Sequence, residues 1–270
     1  MTLDYNIKGP IFEIHINNAN SLNSFTIPEF VELADLFDKA DNEISTSITL
    51  LTSTGKFFST GANIKYVSKI INKSKLEYFN EISSKNIYLV HRILNHKKLI
   101  IVALNGPVIG LTAALICLMD IIYAREDSNI NNNCYIQFPF SSIGLINECG
   151  VSASLPYRLG LTTSLQAVCL AEKIPLDNLI KNGFISKTFK TDSVENFNNL
   201  VIKELLKLSK NLSFDSVFEN KKLIKLQFYD QVNLQIVNES MNGLSRWVDE
   251  RPQNAFKAIA LKNKNSKGKL

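Results

Sequence analysis

The sequence predicts an α/β fold, in which short buried strands alternate with helices. Leu99 to Leu104 is a continuous run rich in Ile and Val, which is typical of a strand buried on both faces. An Asn-Gly-Pro break at 105–107 ends this run, and we expect a buried helix to begin near Leu111. A second short apolar run, Ile48 to Leu51, predicts another buried strand that is followed by small residues.

The N-terminal part predicts a strand and then a capped helix. Apolar and polar residues alternate over residues 12–16, so we expect a strand with one solvated face that carries His15. Thr26 and Glu29 form a T-x-x-E capping box in front of apolar residues at helical spacing. We expect His96, near the end of a polar helical segment, to be a surface or cap residue.

The composition fits a globular protein with a sizeable core. The chain has 270 residues, of which 45% are hydrophobic and 20% are charged, so it forms one large domain or one domain with an appendage. Its net charge of +5 mildly favours an anionic ligand. Because no basic stripe with interleaved aromatic residues is present, we expect a phosphorylated small molecule rather than nucleic acid.

The spacing of the cysteines and the lengths of the apolar runs argue against several further classes of protein, such as metal-binding and membrane-spanning proteins. No C-x-x-C pair occurs, and reduced thiols in an intracellular protein are expected. We expect no metal site, because the histidines have no second metal ligand beside them. No apolar run reaches the roughly 18 to 20 residues of a membrane span, and the N-terminus has no signal-peptide pattern. The four cysteines are Cys117, Cys134, Cys149 and Cys169.

Three breaks of small residues are the candidate sites of chemistry. They lie at 55–64, 105–110 and 144–150, and each separates apolar segments. Backbone N–H groups at the start of the helix near Leu111 are expected to lack partners, so that an oxyanion can bind there. Glu148 lies among apolar and small residues, where burial would raise the pKa of its carboxyl.

Together these breaks resemble motifs of the crotonase (enoyl-CoA hydratase/isomerase) superfamily. GKFFSTGANIK at 55–65 resembles the family's GxxFxxGAD(I/L)K loop, and NGPVIGLTAAL at 105–115 resembles its NGxxxGGGxxL turn. DIIYA at 120–124 matches the strand that follows. The resemblance implies an α/β fold with a crotonase-type ββα spiral core at 1–195 and a C-terminal helical trimerisation region at 196–270.

The resemblance also implies the functional residues. The N–H groups of Ala62 and Leu111 would form an oxyanion hole for the carbonyl of a coenzyme A thioester, where one donor contributes about 3 kcal/mol. No cofactor is implied, because coenzyme A is part of the substrate. The substrate-binding positions implied by the two loops are Thr60, Gly61, Ala62, Asn63, Ile64, Lys65 and Leu111.

The carboxylates indicate which reaction to expect. Family members that are hydratases carry two glutamates, and Ala114 and Phe140 occupy the matching positions here. GLINECG with FPFSSIG resembles the peroxisomal delta3,delta2-enoyl-CoA isomerases of yeasts, which implies that Glu148 alone moves the proton from C2 to C4 in β-oxidation of unsaturated fatty acids. Asn63 and Cys149 depart from the family pattern, where Asp and Gly are commoner.

Partners and alternatives follow from the same resemblance. It implies a homotrimer or homohexamer, alone or with a paralogue. Gly268-Lys269-Leu270 resembles the S-K-L signal and predicts a peroxisomal import receptor and peroxisomal localisation, the alternative being the cytoplasm. The rival functions are a dienoyl-CoA isomerase and a non-catalytic acyl-CoA-binding paralogue.

Overall fold

The structure is a computed structural model that describes residues 2–130 and 133–267. The helices cover more of the chain than the strands do, and a π-helical turn, Phe79–Ser83, joins the third helix to the fourth. The helices are α1 Ile27–Asn42, α2 Ile64–Val67, α3 Lys75–Tyr78, α4 Ser84–Leu94, α5 Leu111–Ile116, α6 Val151–Leu159, α7 Leu161–Cys169, α8 Leu176–Lys181, α9 Val194–Ser209, α10 Phe214–Val248 and α11 Arg251–Lys267.

The strands form two sheets. In the six-stranded sheet the order is β1-β2-β3-β4-β6-β9, and every pair is parallel except the N-terminal hairpin β1-β2. The three-stranded sheet has the order β5-β7-β8. The strands are β1 Leu3–Lys8, β2 Ile11–Ile16, β3 Ile48–Ser53, β4 Leu99–Leu104, β5 Val108–Ile109, β6 Ile121–Glu126, β7 Tyr135–Gln137, β8 Ile174–Pro175 and β9 Lys187–Lys190.

Strand β2 differs from its prediction, because neither of its faces is solvated. Glu13 is 4% exposed, accepts a hydrogen bond from Thr52 and pairs with Lys8 at 2.6 Å. The half-buried His15 ring shares a hydrogen bond of 2.8 Å with Thr52 Oγ1. One face packs in the main core, and Ile11 on the other face joins a second apolar cluster with α9.

His96 is also buried, against the prediction of a surface position. It is 2% exposed, its Nε2 lies 2.7 Å from Thr49 Oγ1, and its ring meets Phe37 edge-on. Burial lowers its pKa to about 4, against a weaker opposing effect of Asp41. The residues next to His96 in the sequence are polar, so the sequence did not indicate that His96 packs between β3 and α1.

The C-terminal helices cover the core rather than forming a detached unit. Helix α10 is 35 residues long and packs against α4 and α6, and α11 packs against α2. Apolar residues of these two helices, among them Phe228, Val232, Trp247 and Phe256, belong to the main core. The division at residues 195 and 196 stays a prediction, and Gly268-Lys269-Leu270 lies outside the described residues.

Candidate active site

The first two small-residue breaks lie side by side. Ser59 forms a parallel bridge with Val108, and Ile109 N–H donates to Ser59 O at 3.0 Å. Gly61 has a φ of +75° and packs so closely that a Cβ there would lie 2.7 Å from Ile109 O and 3.0 Å from Leu111 N. Only glycine fits this position, because both the backbone conformation and the space exclude a side chain.

This contact places Leu111 beside Gly61, the residue directly before Ala62. Leu111 is the first residue of α5, so its N–H has no acceptor within the helix. Within the described ranges, neither N–H donates a backbone hydrogen bond, whereas the N–H groups of Gly110 and Asn63 beside them are both bonded. Two free donors on adjoining loops are the geometry that a developing oxyanion requires.

Both residues line a cavity of about 330 Å³. Its wall is mostly apolar and comes from the loops, α1, α2, the π-helical turn and the two C-terminal helices. Among the lining residues that the structure describes, Lys85 and Glu148 alone carry ionisable side chains. The apolar lining comprises Leu22, Phe25, Ile27, Phe30, Ile64, Val67, Ile82, Ile109, Pro139, Phe140, Ile143, Leu145, Trp247, Phe256 and Ile259.

Glu148 is held on a sharply turned loop before α6. Cys149 and Gly150 follow it with φ values of +59° and +75°, so the chain turns back at once and directs the carboxylate away from the helix. The Trp247 indole N–H donates to Glu148 Oε1 at 3.3 Å. Cys149 in a left-handed conformation is consistent with the glycine that the family favours there.

The environment of Glu148 makes it a stronger base than an ordinary glutamate. Protein encloses the carboxyl, and this desolvation raises its pKa. The Lys85 ammonium opposes the shift, as do hydrogen bonds from Trp247 and the Asn86 side chain. A carboxylate with a raised pKa in an apolar cavity is suited to proton abstraction near neutral pH.

Lys85 is a site residue that the sequence interpretation missed. It is 7% exposed, its Nζ lies 4.9 Å from the centre of the Phe30 ring, and burial lowers its pKa while Glu148 opposes that shift. The sequence around Lys85 has the pattern of an ordinary polar helix. The nearby capping box of Ser74 and Glu77 indicates where α3 begins, just upstream, but it does not indicate that Lys85 is buried. Nothing in the sequence placed this lysine near Glu148.

The structure distributes the predicted binding residues unequally. Thr60, Ala62, Ile64 and Leu111 line the cavity, and Gly61 supports the contact of the two loops. Asn63 instead caps α2, because its Oδ1 accepts from Tyr66 N–H at 3.0 Å. The remaining predicted position, Lys65, is exposed and lies outside the cavity lining. Of the two positions matched to hydratase glutamates, Ala114 is buried in the core and Phe140 is on the cavity wall.

The described residues contain neither a metal-binding cluster nor a membrane-spanning helix. Over residues 2–130 and 133–267, no cluster of three or more His, Cys, Asp or Glu side chains is arranged to hold a metal ion. In the same ranges, no helix combines the length and the apolar character needed to cross a membrane.

Comparison with known proteins identifies the family. The sequence profile described as enoyl-CoA hydratase/isomerase matches residues 6–248. The chain belongs to the enoyl-CoA hydratase/isomerase family. Within it, the chain is 34% identical to a 3,2-trans-enoyl-CoA isomerase of Saccharomyces cerevisiae, over 97% of this chain and 95% of the relative.

Other members of the enoyl-CoA hydratase/isomerase family are similar over nearly the whole chain. A Delta(3,5)-Delta(2,4)-dienoyl-CoA isomerase of Saccharomyces cerevisiae is 31% identical over 97% of each chain. The crystal structure of an enoyl-CoA hydratase/isomerase from Pseudoalteromonas atlantica superposes with a TM-score of 0.81 at 20% identity, over 97% of this chain and 98% of that chain. The crotonase fold expected from the motifs is thereby confirmed.

Proposed function

We propose that this protein is a delta3,delta2-enoyl-CoA isomerase that converts 3-enoyl-CoA to 2-trans-enoyl-CoA in the β-oxidation of unsaturated fatty acids. One observation carries the proposal: a single carboxylate, Glu148, lies on the wall of the same apolar cavity as the free N–H groups of Ala62 and Leu111. A shift of a double bond beside a thioester requires one base and stabilisation of one oxyanion.

The reaction uses these groups in two proton transfers. The thioester carbonyl oxygen accepts hydrogen bonds from Ala62 and Leu111, and Glu148 removes a proton from C2. The C–H electron pair forms the enolate, whose negative charge on oxygen strengthens both hydrogen bonds. The double bond then moves from C3–C4 to C2–C3 as the Glu148 carboxyl returns a proton to C4, which regenerates the carboxylate.

The apolar wall supports this chemistry in two ways. Phe140 and Leu145 limit access of water, so water does not add to the double bond of the 2-enoyl product. Neither position matched to a hydratase glutamate carries an acid, since these are Ala114 and Phe140. The same burial that raises the pKa of Glu148 gives it the proton affinity that abstraction from C2 demands.

Substrate binding is proposed from the loop residues. Thr60, Ile64 and the backbone of Gly61 enclose the thioester end of the substrate, and Asn63 fixes their loop through its cap on α2. The exposed Lys65 next to this loop has the charge to bind the phosphates of coenzyme A. No cofactor other than the coenzyme A of the substrate is proposed.

The proposal is tested by the conversion of trans-3-hexenoyl-CoA, followed by the absorbance of the conjugated thioester. Glu148→Gln preserves the shape of the side chain and removes the base, and a loss of at least about 100-fold in kcat is expected. Glu172→Gln, at an exposed position, is the matched control and keeps full activity. Activity in Glu148→Gln equal to that of the wild type would overturn the assignment of the base.

A dienoyl-CoA isomerase is the second candidate, because a relative of that name is 31% identical to the chain. Moving a proton over the longer conjugated system calls for additional carboxylates, whereas Glu148 is the only one among the described lining residues. Conversion of a 3,5-dienoyl-CoA that exceeds conversion of trans-3-hexenoyl-CoA would favour this candidate. Binding of both thioesters without any product would instead favour the non-catalytic paralogue.

Assembly and localisation are proposed alongside the activity. Exposed apolar side chains on α10 support a homotrimer or homohexamer, alone or with a paralogue, and sedimentation velocity tests this assembly. Those side chains include Leu223, Ile224 and Leu226. The peroxisomal import receptor and the peroxisome stay predictions from the C-terminal tripeptide, with the cytoplasm as the alternative.

A further inference from the structure

Glu148 also lines a second, much smaller cavity. Its volume is about 10 Å³, close to the lower limit of roughly 10–15 Å³ for one water molecule. Two buried polar atoms of residues in its wall, Asn86 Oδ1 and Ser240 Oγ, have no hydrogen-bond partner among the described residues. A site of this size with several polar groups fits one hydrogen-bonded water. The wall comprises Ile82, Ser83, Asn86, Glu148, Glu239, Ser240, Gly243 and Trp247.

Glu239 is the other carboxylate of this small cavity. It is 5% exposed and comes from the C-terminal third of α10. Its Oε2 accepts from Gly150 N–H at 2.6 Å, and its Oε1 accepts from Ser152 N–H at 2.9 Å and from the Ser152 hydroxyl. These contacts hold the start of α6 directly after Glu148.

Glu239 faces a third space as well. It lines an outer pocket of about 440 Å³ together with polar residues that are exposed to solvent, including Asn238 and Asn242. Glu148 therefore connects the substrate cavity to the small cavity, and Glu239 connects the small cavity to the outer pocket. The hydrogen bonds from the α6 backbone explain how the Glu239 carboxylate is held. They do not explain why a cavity lined by polar groups lies between the Glu239 and Glu148 carboxyls.

We propose that a water molecule in the small cavity joins Glu148 to Glu239 as a proton relay, through which the proton taken from the substrate exchanges with solvent during catalysis. The inference rests on the proposed isomerase function. Glu239 acts through Glu148 and does not touch the substrate.

The exchange conserves atoms and charge. Protonated Glu148 donates its proton to the bridging water while that water donates another proton to the Glu239 carboxylate. Glu239 then exchanges its proton with solvent at the outer pocket, and the reverse transfer restores a solvent-derived proton to Glu148. The electron pairs stay on oxygen throughout, and no oxidant or further reactant is required.

The electrostatics of the two carboxyls suit such a transfer. Burial raises the pKa of both carboxyls, and the charge of Glu148 further disfavours ionisation of Glu239. The charged and titratable groups that face the pair are Lys85 and Cys149 on the Glu148 side, while the Ser152 hydroxyl and two backbone N–H groups face Glu239.

The test is isomerisation in D₂O with mass spectrometry of the product. The wild type is expected to place solvent deuterium at C4 in a large share of product molecules. Glu239→Gln keeps the shape of the side chain, and the deuterium share at C4, which is counted per product molecule and so does not depend on kcat, is expected to fall about tenfold. In that variant the hydrogen taken from C2 returns to C4 of the same molecule.

Two further variants keep the test decisive. If Glu239→Gln does not fold, Ser240→Val fills the small cavity, leaves both carboxyls in place and is expected to lower the deuterium share to the same degree. Asn238→Ala changes the outer pocket alone and is the matched control, with labelling equal to the wild type.

The outcomes separate this inference from the proposed function. Equal deuterium shares in wild type, Glu239→Gln and Ser240→Val would overturn the relay and leave the isomerase intact, as would a wild type without label at C4. Absence of any product in H₂O and D₂O would overturn the isomerase function and the relay with it.

Discussion

The Trp247 indole donates a hydrogen bond to Glu148 Oε1 at 3.3 Å, although 99 residues separate the two in the chain. The bond joins the last turn of α10 to the loop in front of α6. Because a hydrogen bond to the carboxylate stabilises its charged form, Trp247 both orients the Glu148 carboxylate and limits the rise of its pKa.

Trp247→Phe is expected to lower kcat/KM about tenfold and to shift the acidic limb of its pH profile to higher pH. The phenyl ring keeps most of the packing but cannot donate, so the pKa of Glu148 rises and less carboxylate is present at a given pH. The control, Tyr88→Phe, removes a hydrogen bond to the carboxylate of Asp35 at the surface. A profile that moves equally in both variants would contradict the role of the indole.

Lys85→Met is expected to shift the acidic limb of the kcat/KM profile to higher pH as well, because the ammonium favours the charged form of Glu148. The variant is also expected to unfold at a urea concentration equal to or above that of the wild type. The Lys85 ammonium has no hydrogen-bond acceptor among the described residues, so replacing it with an apolar side chain removes a buried cation at no loss of hydrogen bonds.

Lys98→Met is the matched control for Lys85. Lys98 is similarly buried, but its ammonium donates to the carbonyls of Ala40 and Glu43, both at 2.6 Å. Its loss is expected to destabilise the protein by about 1–3 kcal/mol and to leave the pH profile unchanged. The opposite pattern, with Lys85→Met the less stable variant, would contradict the assignment of an unpaired cation.

Gly61→Ala is expected to lower kcat by at least about tenfold, since its methyl group overlaps Ile109 O and displaces the Leu111 N–H. Gly183→Ala is the control: its φ of +70° imposes similar backbone strain, but no atom lies within 4 Å of the added carbon. In urea unfolding Gly183→Ala is expected to lose about 1 kcal/mol of stability from backbone strain, and Gly61→Ala is expected to lose more because of the added overlap. Equal activity in the two would argue against Leu111 as a donor.

His96 is expected to make the protein sensitive to acid. Its pKa is about 4 in the fold and near 6.5 in the unfolded chain, so the unfolded state binds the proton more readily. The contribution to the free energy of unfolding, about 3 kcal/mol, is present above pH 6.5 and is lost as the pH falls towards 4. His96→Gln is expected to flatten this dependence in urea titrations, while His91→Gln at an exposed position keeps it.

Local patterns predicted the elements that the loops connect. The strand Leu99–Leu104, the start of a helix at Leu111 and the capping box of Thr26 and Glu29 are all confirmed. Each depends on residues within a few positions of one another, which a sequence displays directly. The raised pKa of Glu148 is confirmed in direction for the same reason, since its neighbours are apolar.

Contacts between distant helices could not be predicted in this way. The spacing of apolar residues along α4 and α10 indicates only which face of each helix is buried. Lys85 and Trp247 come close to Glu148 because of the way in which these two helices pack. The polar residues of β2 were expected in solvent because alternation does not reveal a second covering layer. Helix α9 supplies that layer, and Glu13 then finds its partners within the sheet.

The placement of Trp247, Phe256 and Ile259 on the cavity wall has a consequence for biosynthesis. A ribosome adds about 5–20 residues per second and delivers these three side chains only after the whole sheet has emerged. Glu148 is therefore present on the nascent chain for several seconds before Trp247, which donates a hydrogen bond to it, is synthesised. A stop codon between residues 190 and 247 therefore yields a polypeptide that contains Glu148 and the loops of Ala62 and Leu111 but lacks the indole that donates to the Glu148 carboxylate.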